Sequence, residues 1–128
     1  MRLFHELVIE DFVVGTSLRA SAGYWMPVLG TLDVLRFMVV VDQVSGTNPT
    51  LLIFANETPD LTDAHGNGFL TIVNNAALTV GQTNLFSASL SPGDAAGTAS
   101  YGYRLWYQLS GTNPNAHVRL WVTGRGRA

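Results

Sequence analysis

The sequence predicts an all-β fold: a two-sheet antiparallel β-sandwich, jelly-roll or immunoglobulin-like, with two related hairpins. Three observations predict it. The string Ser-Gly-Thr-Asn-Pro occurs twice, at 45–49 and at 110–114, each copy led by a glutamine two residues earlier (Gln43, Gln108). On both sides of each copy, apolar and polar residues alternate with the period of two that a strand requires. Runs rich in β-branched and aromatic residues recur at regular spacing, with turn-forming residues between them.

The elements follow in order. Residues 3–14 partly fit a helical stripe through Phe4, Val8 and Phe12. The β-branched Val8-Ile9 and Val13-Val14 favour a strand instead, and a strand is expected. Residues 15–31, with Gly15, Gly23, Pro27 and Gly30, read as a loop or arm carrying a buried aromatic pair, Tyr24-Trp25. Val34–Val44 reads as a long strand and Thr50–Glu57 as its partner, with 45–49 as the connecting turn. Gly46 and Asn48 tolerate positive φ there, and Pro49 belongs at a strand's entry because it has no N–H to donate. Tyr101–Leu109 and Asn115–Thr123 repeat the arrangement at an offset of 65 residues. The overlay sets Met38, Val40 and Val44 on Tyr103, Leu105 and Leu109, and Leu51, Ile53 and Ala55 on Ala116, Val118 and Leu120. One apolar face per hairpin is therefore expected. Between the copies, Phe69–Val73 leads towards Leu78-Thr79-Val80, Gly81-Gln82 forms a tight turn, and Thr83–Leu90 is a further strand. Residues 58–68 and 91–100 read as loops.

A chain of 128 residues forms one domain. It divides into an N-terminal strand or arm (1–33) and the sandwich (34–128). Charged residues make up 12% of the chain, against about 25% in an ordinary globular domain. Part of the uncharged surface is thus expected to lie against other chains or to be covered by Thr, Ser, Asn and Gly. The net charge of −2 argues against bulk binding to nucleic acid, and the short basic tail Gly124–Ala128 carries too few arginines to change that. All seven basic residues are arginine, the side chain best suited to bidentate contacts at interfaces. Without cysteine there is no disulfide and no thiolate metal site. The start of the chain places Glu6, Glu10 and Asp11 where a signal peptide is apolar, so none is expected. The run Phe37–Val41 falls far short of the about 20 residues that span a bilayer, and no membrane partner is expected.

The chemistry-bearing residues form no catalytic pattern. Asp60, Asp63, Asn67 and the nearby glycines supply oxygens but too few carboxylates for a calcium loop, and turn formation explains the same residues. His5, His65 and His117 are scattered, whereas zinc needs clustered ligands. There is no nucleophile elbow and no phosphate-binding glycine motif. No enzyme activity, cofactor or metal is therefore expected. The aromatic residues are more informative. Tyr101, Tyr103 and Tyr107 share one face of the second hairpin, while Trp106 and Trp121 fall on the other with Arg104 and Arg119. A Trp/Arg face suits protein contact, and it also suits stacking on sugars. Trp106, Trp121, Arg104 and Arg119 are the candidate partner-contact residues.

The stretch Val41–Leu51, with its Ser-Gly-Thr-Asn-Pro, resembles small β-sandwich structural proteins of tailed bacteriophages and phage-like particles. In those, a long strand leads through a Ser-Gly-Thr-x-Pro turn into a second strand. The chain departs from the family at Asn56–Asp60, where a Ser-x-Asp-Gly element often follows, and no functional residue carries over. The resemblance covers about a third of the chain, both hairpins together. It implies a capsid decoration or cement subunit, or a tail component. Such a subunit resides in the virion, forms homo-oligomers, contacts the major capsid protein or other virion proteins, and catalyses nothing. The alternative reading is a carbohydrate- or receptor-binding module built on Trp106 and Trp121.

Overall fold

Among the described residues six strands form: β1 (Arg2–Val14), β2 (Arg19–Ala20), β3 (Leu32–Glu57), β4 (Asn67–Ala77), β5 (Asn84–Leu90) and β6 (Arg104–Gly126). The structure is a computed structural model and describes residues 2–20, 32–57, 67–90 and 104–126. Every ladder among them is antiparallel. Residues 2–14 pair along β6 as a full strand of the sheet. The rest of the expected arm, with Tyr24-Trp25, lies outside the described residues apart from β2, which adds a short strand inside the expected 15–31 loop.

The two hairpins do not form. β3 and β6 run unbroken through both Ser-Gly-Thr-Asn-Pro copies and lie side by side over their whole length. Asp42 pairs with His117, Thr47 with Thr112, and Leu51 with Leu109. Each arm therefore pairs with an arm of the opposite copy rather than with its own. The two strings meet where the strands cross. A Cβ on Gly46 would lie 2.7 Å from the Asn113 carbonyl oxygen, and one on Gly111 would lie 2.7 Å from that of Asn48. Gly46 and Gly111 adopt φ of +108° and +120°, and Asn48 and Asn113 adopt +50° and +49°. The same residue types that reverse a chain in a turn here bend two strands past each other at backbone contact. Buried Pro49 and Pro114 offer their carbonyls to the amides of Leu78 and Gly15, each at 2.9 Å.

When β3 and β6 are divided at this crossing, eight strand segments result. The first segment pairs with the last, the second with the seventh, the third with the sixth and the fourth with the fifth. This nested order is that of a jelly roll and excludes the immunoglobulin-like alternative. One layer holds β1, the C-terminal part of β6, the N-terminal part of β3, and β5. The other holds β2, the N-terminal part of β6, the C-terminal part of β3, and β4. Their inner faces merge in one core. Ile9, Val13, Phe37 and Leu120 enter it from the first layer, and Leu51, Ile53, Leu105 and Leu109 from the second.

The expected match of faces holds for Val44 with Leu109 and after the crossing, and fails earlier in β3, at Val40 against the buried Leu105. Leu51 and Ile53 are buried, as are Ala116 and Val118. Met38 and Val40, however, face outward, and Phe37, Val39 and Val41 fill the core instead. The cause is one extra residue in β3, seen as a register shift between Asp42 and Ser45, with Gln43 at φ +53°. A bulge of this kind moves all preceding side chains to the other face.

The remaining expectations place as follows. β4 extends Phe69–Val73 in both directions, and Gly81, at φ +78°, lies in the turn before β5. The Asn84 side chain closes that turn on the backbone of Thr79 and Gln82. Residues 58–66 and 91–103, including the Asp60–Gly66 part of the oxygen-rich loop and Tyr101 and Tyr103, lie outside the described residues.

Candidate functional site

Among the described residues, the outer face of the first layer carries most of the exposed large hydrophobic side chains. Residues directly opposite each other in an antiparallel ladder share a face, so the register defines its rows. One row reads Leu7, Trp121, Met38, Ser87, and the next reads Glu10, Arg119, Val40, Leu85. A third reads Phe12, His117, Asp42. Leu85 is 70% exposed and Met38 50% exposed, and Leu7, Phe12 and Val14 also lie open. A water-facing sheet surface normally alternates to polar residues, so this one is unusually apolar.

A charge cluster sits in the middle of the face. Asp42 accepts a hydrogen bond from His117 Nδ1 at 3.1 Å on one oxygen and from Arg119 Nη2 at 3.0 Å on the other. The Arg119 guanidinium carbon lies 5.8 Å from the Trp121 ring centroid, in cation–π range. The outward flip of Asp42 is a consequence of the Gln43 bulge, so one backbone irregularity both exposes Met38 and Val40 and supplies the anion. No hydrogen bond among the described residues joins His117 to a hydroxyl nucleophile. The cluster orients the His117 and Arg119 side chains on the face.

A second polar cluster clasps the two layers. The Tyr107 hydroxyl donates to Asp11 Oδ2 at 2.9 Å, and Arg19 Nη1 donates to the same oxygen at 3.1 Å. Tyr107 projects into the core from β6 while Asp11 belongs to β1 and Arg19 to β2, so the clasp ties three strands together. Burial raises the Tyr107 hydroxyl to about 12, and its hydrogen bond to Asp11 and that residue's negative charge add to the rise. Arg19 and Arg119 both leave their buried Nε without an acceptor among the described residues, so the outer nitrogens make the ion pairs.

The four expected contact residues do not form one surface. Trp121 and Arg119 stand on the outer face just described. Trp106 points outward from the second layer, where it is only 7% exposed and stacks on Phe54 with ring centroids 6.4 Å apart. The side chain of Arg104 lies outside the described residues. Sequence reasoning missed Leu7, Met38, Asp42 and Leu85. The Phe-Met-Val-Val-Val run is apolar at every position and gives no hint of which half faces out. Among the described residues no group of three or more His, Asp or Glu side chains is placed to hold a metal ion.

No family model matches the chain, and no curated protein matches it in sequence. Solved structures do match it. A chain of the T13 viral particle of infectious bursal disease virus superimposes with a TM-score of 0.61 at 14% identity, over 97% of this chain and 31% of that one. The VP2 subviral particle of the same virus gives 0.60 at 15% identity, over 98% and 33%, and the Gx strain structure gives 0.56 at 15%, over 95% and 32%. The likeness is one of fold. The chain spans about a third of the length of the solved chains that it matches.

Proposed function

We propose that this chain is a virion structural protein: a capsid decoration or cement subunit of a tailed phage that stabilises the shell through protein–protein contacts. The observation that carries the reading is the pairing of a jelly-roll sandwich with a broad apolar outer face in a chain that is only 12% charged. The similarity of fold to chains of an icosahedral virus particle supports it. The role is passive. Burial of Leu7, Met38 and Leu85 against neighbouring subunits supplies adhesion at about 25 cal/mol per Å² of apolar area. The Asp42 cluster limits which partner fits, because a mismatched surface would leave these charges buried and unpaired. No reaction is assigned.

The carbohydrate-binding alternative needs an open aromatic platform. Trp106 and Trp121 lie on outer faces of opposite layers, and Trp106 is covered, so the two do not act on one ligand.

The test is the composition of purified particles. Density-gradient-purified particles from cells expressing the chain's own gene cluster are digested and quantified by mass spectrometry. Recovery at a fixed ratio to the shell protein is expected. Recovery only in the soluble fraction, with none in particles, would overturn the proposal.

A further inference from the structure

We infer that the outer face of the first layer is a self-complementary contact at which two copies of this chain pack face to face about a two-fold axis. The inference rests on the structural role proposed above and names one contact within it.

β3 runs through the middle of this face. Its outward residues before the bulge are Arg36, Met38, Val40 and Asp42. Read along the strand, the strip is cation, apolar, apolar, anion. Turned end for end it is anion, apolar, apolar, cation. A second copy laid antiparallel over the first therefore puts each Arg36 against the other's Asp42 and each Met38 against the other's Val40, with the axis at the level of Val39. An isologous contact requires this self-complementarity, in which residue i meets j and j meets i.

The rest of the face is compatible. Among the described side chains, the charged ones on it are Arg36, Arg119, Glu10 and Asp42, two of each sign, so these do not set two copies against each other. The two histidines on it, His5 and His117, are held by Thr123 and by Asp42. Asp42 has spare acceptor capacity, since each carboxylate oxygen accepts one bond within the chain and can accept another. Arg36 is exposed and makes no ion pair among the described residues. The described part of the face, balanced and largely apolar, lacks the excess cation that an anionic lipid surface or a nucleic acid calls for.

The size also fits. Four strands at about 4.8 Å spacing and nine residues at about 3.4 Å rise give a flat area of about 600 Å². Side-chain relief brings the accessible area towards the about 800 Å² per partner of a stable interface. Facing sheets cross at about 30°, which displaces the ends of the strip by about one strand spacing. The long arginine stem spans that displacement.

The experiment is sedimentation of the full chain from about 1 to about 200 μM, a range that detects dissociation constants across two decades. The wild type should form a dimer of twice 13.8 kDa. Arg36→Glu and Asp42→Arg should each weaken association by about tenfold or more, because each places two like-charged pairs at the axis-related positions. Mixing the two variants should restore a heterodimer. On one side of the axis the new glutamate of one copy then faces the new arginine of the other, and on the opposite side the original pair of Arg36 with Asp42 survives. Asp42→Arg also removes the acceptor of Arg119 and His117, so Met38→Glu serves as an independent variant that leaves the cluster intact. It should dissociate the dimer while thermal melting by circular dichroism stays cooperative. A wild type that remains monomeric throughout would overturn the inference, and the particle composition would still decide the structural role separately. A wild type that associates but ignores Met38→Glu and shows no restoration on mixing would place self-contact elsewhere and overturn this face alone.

Discussion

Replacing Gly46 by alanine should destabilise the protein by about 2–6 kcal/mol. Two terms add. A non-glycine residue forced into a sparsely populated positive-φ region costs about 1–3 kcal/mol, and φ of +108° lies beyond the left-handed well that asparagine uses. The new methyl would then lie 2.7 Å from the Asn113 carbonyl oxygen and 2.9 Å from both the Pro114 Cα and the Thr112 carbonyl oxygen. All three are backbone atoms of the facing strand. They cannot turn aside as a side chain would, so the crossing must open, at about 1–3 kcal/mol as in other overpacked sites. Gly81 is the control. It also has positive φ, at +78°, but a Cβ there meets nothing within 4 Å. Gly81→Ala should cost only about 1–2 kcal/mol, the penalty of the left-handed conformation itself. The difference between the two variants in equilibrium urea unfolding isolates the close approach of β3 and β6. A Gly46→Ala variant as stable as Gly81→Ala would refute the crossing. Since the total stability of such a domain is about 5–15 kcal/mol, the effect is large enough to be read without ambiguity.

The remaining predictions concern the core and the polar clusters. Leu51→Ala empties a fully buried core position of the second layer and should cost about 2–5 kcal/mol in the same unfolding assay. Tyr107 gives a pH signature. Its proton is held more tightly in the folded state, so its contribution is complete below the unfolded value of about 10 and is lost as pH rises from about 10 to about 12. Two pH units set a ceiling of about 3 kcal/mol, and partial exposure of Asp11 and Arg19 reduces this to about 1–2 kcal/mol. Tyr107→Phe should abolish that alkaline loss, and a variant that keeps the full slope would remove Tyr107 as its source. Addition of calcium should leave the melting temperature unchanged, and a rise of several degrees would contradict the turn reading of the Asp60–Gly68 loop.

Strand identity was legible in the sequence because β-branched runs and period-two alternation act locally. The turn before β5 was legible for the same reason, since Gly81 and Asn84 solve a local backbone problem. The paired strings were harder. Gly, Asn and Pro state that the chain must adopt positive φ and withhold an amide, but not whether it reverses direction. At 45–49 and 110–114 the deciding contact is with the other copy, 65 residues away. Local chemistry does not contain that partner. Gln43 shows a second limit. Glutamine is not a usual left-handed residue, so the bulge that turns Met38 outward has no sequence signature. The contact residues were legible only by halves: alternation placed Trp106 and Trp121 on one face of a strand, and the crossing between them sent them to opposite sides of the molecule.

The side-by-side course of β3 and β6 underlies the layer order, the outward face and the self-contact alike. Cross-strand nuclear Overhauser effects from the full chain in solution test it most directly. Contacts of Leu51 with Leu109 and of Val39 with Leu120 are expected. Contacts of Val44 with Thr50 or Leu51 as hairpin partners, in place of those two, would contradict it.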